Sequence, residues 1–174
     1  MIDLSKALEA RQRQRAVVVH GIEYEVNTQF YWWISFENKF KGEPPRFGEL
    51  DCLYKFAAPD DRQAGFIELE KFYLNAQPLP RPSGRRKISA VATDWLIDSE
   101  YIWAAFIQQY GIDLLKEDLH WHSFLALFNA LIGTKLNEAI QWRFSADKKG
   151  PMKELREAWE IRLPAAKRPI PEMV

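Results

Sequence analysis

The stretch LHWHSFLALFNALI, residues 119–132, decides the fold. Read as a helix, it carries large apolar side chains on almost every side, because Leu119 and Leu127 point away from the main apolar face. A helix that is apolar all round is buried at the centre of a helical protein. The stretch therefore predicts a mainly α fold, a helical bundle built around one central helix. Its main face consists of Trp121, Phe124, Leu125, Phe128 and Leu131.

Three further helices are predicted next to this one in the second half of the chain. The first ends at Gly111, since a residue in the left-handed conformation commonly closes a helix. The second begins at Thr134, a suitable N-cap, and the third at Pro151, which suits a first helical position. Their apolar faces consist of Trp95, Ile102, Trp103, Phe106 and Tyr110; of Leu136, Ala139 and Ile140; and of Met152, Leu155, Trp159 and Leu163.

The N-terminal half begins with a predicted β-hairpin at about residues 16–26. Two β-branched or alternating runs flank His20 and Gly21, which favour a tight turn. Two helical stretches are predicted further on, over about Phe47 to Phe56 and after Asp60-Asp61, whose negative charges suit a helix start. The apolar face of the later helix consists of Phe66, Leu69, Phe72 and Tyr73.

A helix is also predicted between Asn27 and Gly42, directly after the hairpin. Phe30, Trp33, Ile34 and Phe40 lie on one side of this helix. Trp32 and Phe36 lie roughly opposite Phe30, at about 100° per residue. The helix is therefore either sandwiched between two layers or carries an exposed aromatic pair, and sandwiching is the favoured interpretation.

Length and composition predict one domain. A chain of 174 residues with 47% apolar residues is long enough for one well-filled core and too short for two typical domains and a linker. We expect a single helical domain over residues 1–163. A mobile basic linker is expected at about residues 76–92, where prolines and basic residues cluster, and a frayed tail over residues 164–174.

Charge and cysteine content restrict the function classes. The 24 Lys and Arg residues balance the 24 Asp and Glu residues, so the chain has no net positive charge to attract a polyanion. A local basic patch could still bind nucleic acid. The single cysteine, Cys52, cannot form an internal disulfide and is expected to be a buried structural residue. No run approaches the roughly 18 apolar residues of a membrane helix. The cytoplasm is the expected compartment.

The sequence predicts neither a metal site nor a cofactor. His120 and His122 flank Trp121 at a spacing that places them about 200° apart on a helix, where they cannot hold one ion. One of these histidines is expected to satisfy a buried hydrogen bond. The carboxylate pairs of the chain are expected to be solvated, and no phosphate-binding loop or nucleophile motif occurs. We expect a protein that is not an enzyme.

Arg143 is the charged residue with the clearest structural role. It falls on the same helix face as Leu136, Ala139 and Ile140, and a partly buried guanidinium needs a carboxylate or several carbonyls. We predict a structural ion pair that fixes how the central helices cross. The expected partner is Asp113 first, and Glu100 or Asp94 next.

The second half of the chain resembles the bacteriophage gene-product-fifteen family. Members carry an aromatic-rich core followed by a helix with an Ile-x-x-Arg signature. The matching positions are Asp98, Tyr101–Phe106, Tyr110–Leu114, Leu119–Trp121 and Ile140–Arg143, together with Val18–Thr28 near the N-terminus.

The resemblance implies a phage or prophage protein without assigned catalysis, encoded in a tail module close to the tape-measure gene. The implied role is a tail-assembly chaperone in the host cytoplasm that binds the tape-measure protein and helps to recruit tail-tube subunits. A minor structural component of the tail is one alternative, and an enzyme or nucleic-acid-binding protein is another. Tyr110, Asp113, His120, Trp121 and Arg143 would be motif residues with structural roles. Trp32, Phe36 and Trp142 are the candidate protein-binding residues.

Overall fold

A computed structural model describes residues 14–40, 46–74, 92–145 and 149–161. Within these ranges the chain is mainly α with an antiparallel β-hairpin at its N-terminal end, which confirms the predicted fold class. The elements are β1 (Ala16–Val19), β2 (Ile22–Glu25), α1 (Phe30–Phe40), a 3-10 helix (Phe47–Leu53), α2 (Arg62–Tyr73), α3 (Ser99–Tyr110), α4 (Trp121–Asn129), α5 (Lys135–Arg143) and α6 (Pro151–Trp159). The described helices include none long and apolar enough to cross a membrane.

The chain forms two compact units. The described part of the first unit comprises residues 14–40, 46–74 and 118–125, and that of the second comprises residues 92–117, 126–145 and 149–161. The single domain expected over residues 1–163 stays a prediction. Almost all of the expected linker at about 76–92 and the whole of the expected tail at 164–174 lie outside the described residues.

The hairpin forms where the sequence predicts it. Ala16 pairs with Glu25 and Val19 with Ile22, and the two turn residues, His20 and Gly21, have φ values of 51° and 81°. Two successive positive φ angles are typical of the tight turns that match the twist of β-strands. The side chains of β1 alternate between the core and solvent, as expected for a strand with one covered face.

Aromatic side chains fill the core of the first unit. Trp33 of α1 stacks on Phe72 of α2 with ring centroids 4.5 Å apart, and Trp121 of α4 stacks on Tyr73 at 5.3 Å. Phe36 is only 4% exposed, so the sandwiched arrangement expected for α1 is confirmed at this position. At Gly65 a Cβ atom would lie 2.7 Å from both Tyr54 Oη and Pro59 Cγ, which explains why this turn of α2 has no side chain.

The helix ends of the second unit match their predicted signals. Gly111 closes α3 in the left-handed conformation, and Thr134 caps α5 through a reciprocal pair of hydrogen bonds with Asn137. Pro151 occupies the first position of α6. The central stretch is less buried than expected: α4 ends at Asn129, and Ile132 is exposed because the chain has already turned away from the helix.

Candidate functional site

Arg143 forms a buried ion pair with Asp98 in the second unit. The two residues are 4% and 0% exposed, and the guanidinium donates two hydrogen bonds to the carboxylate, at 2.9 and 2.6 Å. The prediction of a structural ion pair is confirmed, but the predicted partners Asp113, Glu100 and Asp94 are wrong. Asp98 is the partner because it lies directly before α3, one helical turn before Ile102, on the buried side of that helix.

Arg143 also binds main-chain carbonyls. Its Nε donates to the Trp159 carbonyl at 2.9 Å and its Nη1 to the Ala92 carbonyl at 2.7 Å. Asp98 accepts a further hydrogen bond from the Asp94 amide at 3.0 Å. One guanidinium therefore connects α5, the end of α6 and the segment before α3. That it fixes how the helices cross stays a prediction.

Asp113 organises the loop after α3 instead of binding Arg143. Its carboxylate accepts hydrogen bonds from the Trp103 indole at 2.9 Å and from the Leu115 amide at 3.1 Å, and Lys116 Nζ lies 2.7 Å away. These donors, with Lys116 contributing most, lower the pKa of the carboxyl group to about 2. Asp113 therefore stabilises a turn and holds the Trp103 ring in one position.

The motif residue Tyr110 connects α3 to the end of α4. Its hydroxyl donates to the Leu127 carbonyl at 2.8 Å. The neighbouring Gln109 donates to the Ala130 carbonyl and accepts from the Ile132 amide. The Leu127 carbonyl also accepts from the Ala130 amide at 3.1 Å, so Tyr110 adds a second donor where α4 ends. The role of Tyr110 is structural.

One face of α3 and its flanking residues carries exposed apolar side chains. Leu96 is 69% exposed and Leu115 is 82% exposed, and Trp103 and Ile107 are also exposed. Leu115 adjoins Trp103, because its amide and the Trp103 indole donate to the same oxygen of Asp113. We call these four residues the apolar stripe: Leu96, Trp103, Ile107 and Leu115.

The placement of Trp103 corrects the predicted core face of α3. Ile102 and Phe106 are buried, whereas Trp103 follows Ile102 by about 100° around the helix and lies at the surface. The sequence contains one signal of this placement. Leu96, Trp103 and Ile107, seven and four residues apart, form an apolar series of their own beside that of Ile102 and Phe106. Any one aromatic residue on such a helix is compatible with either face, so the sequence alone does not decide.

A family model described as Bacteriophage Gp15 protein matches residues 71–162. The chain belongs to this family. The matched range contains the apolar stripe, the Asp98–Arg143 pair and all described residues of the second unit. No curated protein and no solved structure matches the chain.

The remaining Gp15 motif residues, His120 and Trp121, lie in the first unit. Trp121 is fully buried, and its indole N–H donates to the Tyr73 carbonyl at 2.8 Å. His120 Nε2 bonds to the Gln14 carbonyl at 2.8 Å, and its Nδ1 accepts from the His122 amide at 3.2 Å. Burial lowers the pKa of His120, because desolvation disfavours the charged imidazolium.

His122 is the histidine that satisfies a buried hydrogen bond, as expected. It is 2% exposed, and its Nε2 bonds to the Phe72 carbonyl at 2.7 Å. In the described ranges, no group of three or more His, Cys, Asp and Glu side chains is arranged to hold a metal ion.

Two predictions about single residues of the first unit are wrong. Cys52 is exposed rather than buried, because the 3-10 helix places it on the solvent side, where its thiol donates to the Glu49 carbonyl at 3.4 Å. Phe36 is part of the core, packed against Trp33 and Tyr73, and so it contributes no docking surface.

The other two predicted protein-binding residues are half-buried. Trp32 of α1 has its ring centroid 5.8 Å from that of Tyr31. Trp142 of α5 packs against Trp159 of α6, and Lys135 Nζ lies 4.2 Å from its ring centroid. An ammonium over an indole face is a favourable contact that already covers part of Trp142. Their protein-binding roles stay predictions.

Proposed function

We propose that this Gp15 family member is a non-enzymatic accessory protein of phage tail assembly that binds the tape-measure protein in the cytoplasm of the bacterial host. The observation that carries the proposal is the apolar stripe formed by α3 and the residues that flank it. Exposed apolar residues that gather on one face commonly mark a binding surface, whereas single scattered ones are ordinary. The stripe lies within the range that matches the family.

The partner is inferred from the resemblance and from the chemistry of the stripe. Proteins of this kind are implied to act beside the tape-measure protein, a long helical chain. Such a chain offers amphipathic segments, and docking of a helix against an apolar face is a recurrent mode of recognition. Tail-tube subunits are a second proposed partner, recruited once the tape-measure chain is bound.

A non-enzymatic role is supported by what the buried polar groups do. The motif residues Asp98 and Arg143 bond to each other and to main-chain atoms, and Tyr110 bonds to a main-chain carbonyl. Each of these groups therefore has a structural task in the second unit.

Co-expression with the tape-measure protein of the same phage tests the proposal. We expect the two proteins to co-purify and the soluble fraction of the tape-measure protein to rise. The double variant Leu96→Ser/Ile107→Ser should reduce both effects, since it makes the stripe polar. Gln108→Ser, an exposed change on the same helix outside the stripe, is the matched control.

A tape-measure protein that stays insoluble and unbound would contradict the chaperone role. Finding the protein at a fixed copy number in purified virions would favour the alternative, a minor structural component of the tail.

A further inference from the structure

The apolar stripe has the spacing of a helix-packing seam. Leu96, Glu100, Trp103 and Ile107 follow one another along the chain at intervals of four, three and four residues. Leu96 lies in the turn directly before α3, which is closed by a hydrogen bond from the Asp98 amide to the Asp94 carbonyl, whereas Glu100, Trp103 and Ile107 lie on α3 itself. A 4–3–4 spacing keeps side chains on the face that packs against a second helix.

Trp103 is a pre-positioned anchor within this seam. Its indole N–H is held by Asp113 at 2.9 Å, so the exposed ring loses little freedom when another surface covers it. Rigid aromatic side chains contribute much of the binding energy of protein interfaces, and pre-ordering lowers the entropy cost of binding.

Glu100 places a negative charge in the middle of the seam. It is exposed in the first turn of α3, and among the described residues it has no ion-pair partner. Lys116, in the loop after α3, is paired with Asp113. A partner that buries the Glu100 carboxylate would be favoured if it brought a positive charge, because a buried carboxylate without a counter-ion is costly.

Building on the proposed protein-binding function, we propose that the apolar stripe binds an amphipathic α-helix with a basic residue opposite Glu100. Apolar side chains of that helix, three or four residues apart, pack against Leu96, Trp103 and Ile107. A Lys or Arg on the same face pairs with the Glu100 carboxylate. Charge complementarity of this kind fixes the register of a docked helix and excludes helices with an acidic residue at that position.

A second copy of this chain fits the stripe poorly. An antiparallel pair of α3 helices would place Glu100 opposite Trp103. A two-fold interface must be self-complementary, and the described stripe residues provide no cation to meet Glu100. The charge pattern therefore favours a different, basic partner.

Charge reversal on both sides of the interface tests the pairing. Overlapping peptides of the tape-measure protein of the same phage are used as probes against the full chain. We expect Glu100→Lys to weaken the best-binding peptide by at least about tenfold, because like charges then face each other. Replacing the basic residue of that peptide by Glu should restore the affinity for Glu100→Lys. Gln108→Lys introduces a lysine on the same helix outside the stripe and should have little effect.

A photo-crosslink identifies the occupant without assuming the partner. A benzophenone amino acid replaces Ala104, an exposed residue one turn after Glu100, and Gln141 of α5 serves as the exposed control position. Crosslinks are mapped by mass spectrometry in cells that assemble the phage. We expect an Ala104-specific crosslink to a segment with apolar residues three or four apart and a flanking Lys or Arg.

The outcomes separate this proposal from the tape-measure proposal. Such a segment in another phage protein supports helix docking and removes the tape-measure protein as partner. A tape-measure peptide that binds equally well to Glu100→Lys keeps the tape-measure proposal and overturns helix docking on the stripe. A crosslink to a second copy of the chain, to a segment without this pattern, or none specific to Ala104 also overturns it.

Discussion

The two units of the molecule satisfy their buried polar groups in different ways. In the first unit, the indole N–H groups of Trp33 and Trp121 donate to main-chain carbonyls, and Nε2 of His122 bonds to another one. In the second unit, a charged pair, Asp98 and Arg143, is fully removed from water. The first arrangement adds polar contacts to an aromatic core. In the second, helix packing depends on a pair of charges, and each charge needs the other as its counter-ion.

The difference teaches where each unit is sensitive. A neutral donor that is removed leaves one main-chain carbonyl unpaired, whereas a buried charge that is removed leaves its partner uncompensated in a poorly polarisable interior. The charged pair is also more selective, since a bidentate guanidinium–carboxylate contact tolerates little change in geometry. We expect the second unit to depend on fewer residues, each with a larger effect.

The largest expected effect is that of Asp98→Asn. This change keeps the shape of the side chain but leaves the Arg143 guanidinium buried without a countercharge, and it should lower the free energy of unfolding by about 3 to 5 kcal/mol. Urea denaturation followed by tryptophan fluorescence measures the loss.

Two further variants sharpen that result. Glu138→Gln removes the exposed Lys135–Glu138 pair of α5 and should cost less than about 1 kcal/mol. Replacing both buried partners by apolar residues, Asp98→Leu with Arg143→Met, should cost less than Asp98→Asn alone, because no charge is then left unpaired. A loss for Asp98→Asn as small as that for Glu138→Gln would contradict the role assigned to the pair.

The next effect is that of Trp121→Phe in the first unit. The Phe ring can still stack on Tyr73 and Phe124, but the Tyr73 carbonyl loses its donor and the core loses volume. We expect a loss of about 2 to 3 kcal/mol. Trp103→Phe is the matched exposed change and should cost less than about 1 kcal/mol. If Trp121→Phe and Trp103→Phe lowered the free energy of unfolding equally, the buried indole N–H of Trp121 would make no special contribution to stability.

A smaller effect should be seen in the pH dependence of stability. Burial lowers the pKa of His120 in the folded chain below the ordinary 6.5, so the unfolded chain binds more protons between those two values. The contribution of His120 is therefore fully present above about pH 6.5 and is lost as the pH falls toward the folded pKa.

His120→Gln keeps a donor for the Gln14 carbonyl but does not titrate. Its stability should therefore decline less between pH 7 and pH 5 than that of the parent chain, as measured by thermal unfolding at each pH. Parallel curves for the two proteins would argue against a depressed His120 pKa.

The smallest effect concerns Asp113 at the surface of the second unit. Its pKa is lowered from the ordinary 3.8 to about 2 by Lys116, Trp103 and the Leu115 amide. The resulting stabilisation is present above about pH 4 and is lost as the pH falls toward 2. Lys116→Gln should move the pKa of Asp113 upward in an NMR titration, and Lys135→Gln should leave it unchanged. A measured Asp113 pKa near 3.8 in the parent chain would contradict the claim that these three contacts lower it.

Local signals in the sequence predicted most of the fold. The hairpin turn at His20-Gly21, the cap at Thr134 and the helix ends at Gly111 and Pro151 depend on backbone preferences of single residues, and they lie where expected. The presence of a buried partner for Arg143 was also predictable, because a guanidinium on an apolar helix face needs one. The identity of the partner was not, since several acidic residues precede and follow α3.

The sequence by itself determined the helical class, the hairpin and the family, because periodicity, turn chemistry and motif residues are properties of the chain. Only the tertiary structure decided that Asp98 rather than Asp113 meets Arg143, that Phe36 is covered and that Trp103 is exposed. These outcomes depend on which side of each helix faces its neighbours. An aromatic residue or a carboxylate can lie on the buried or on the exposed side of a helix, and only tertiary packing determines which.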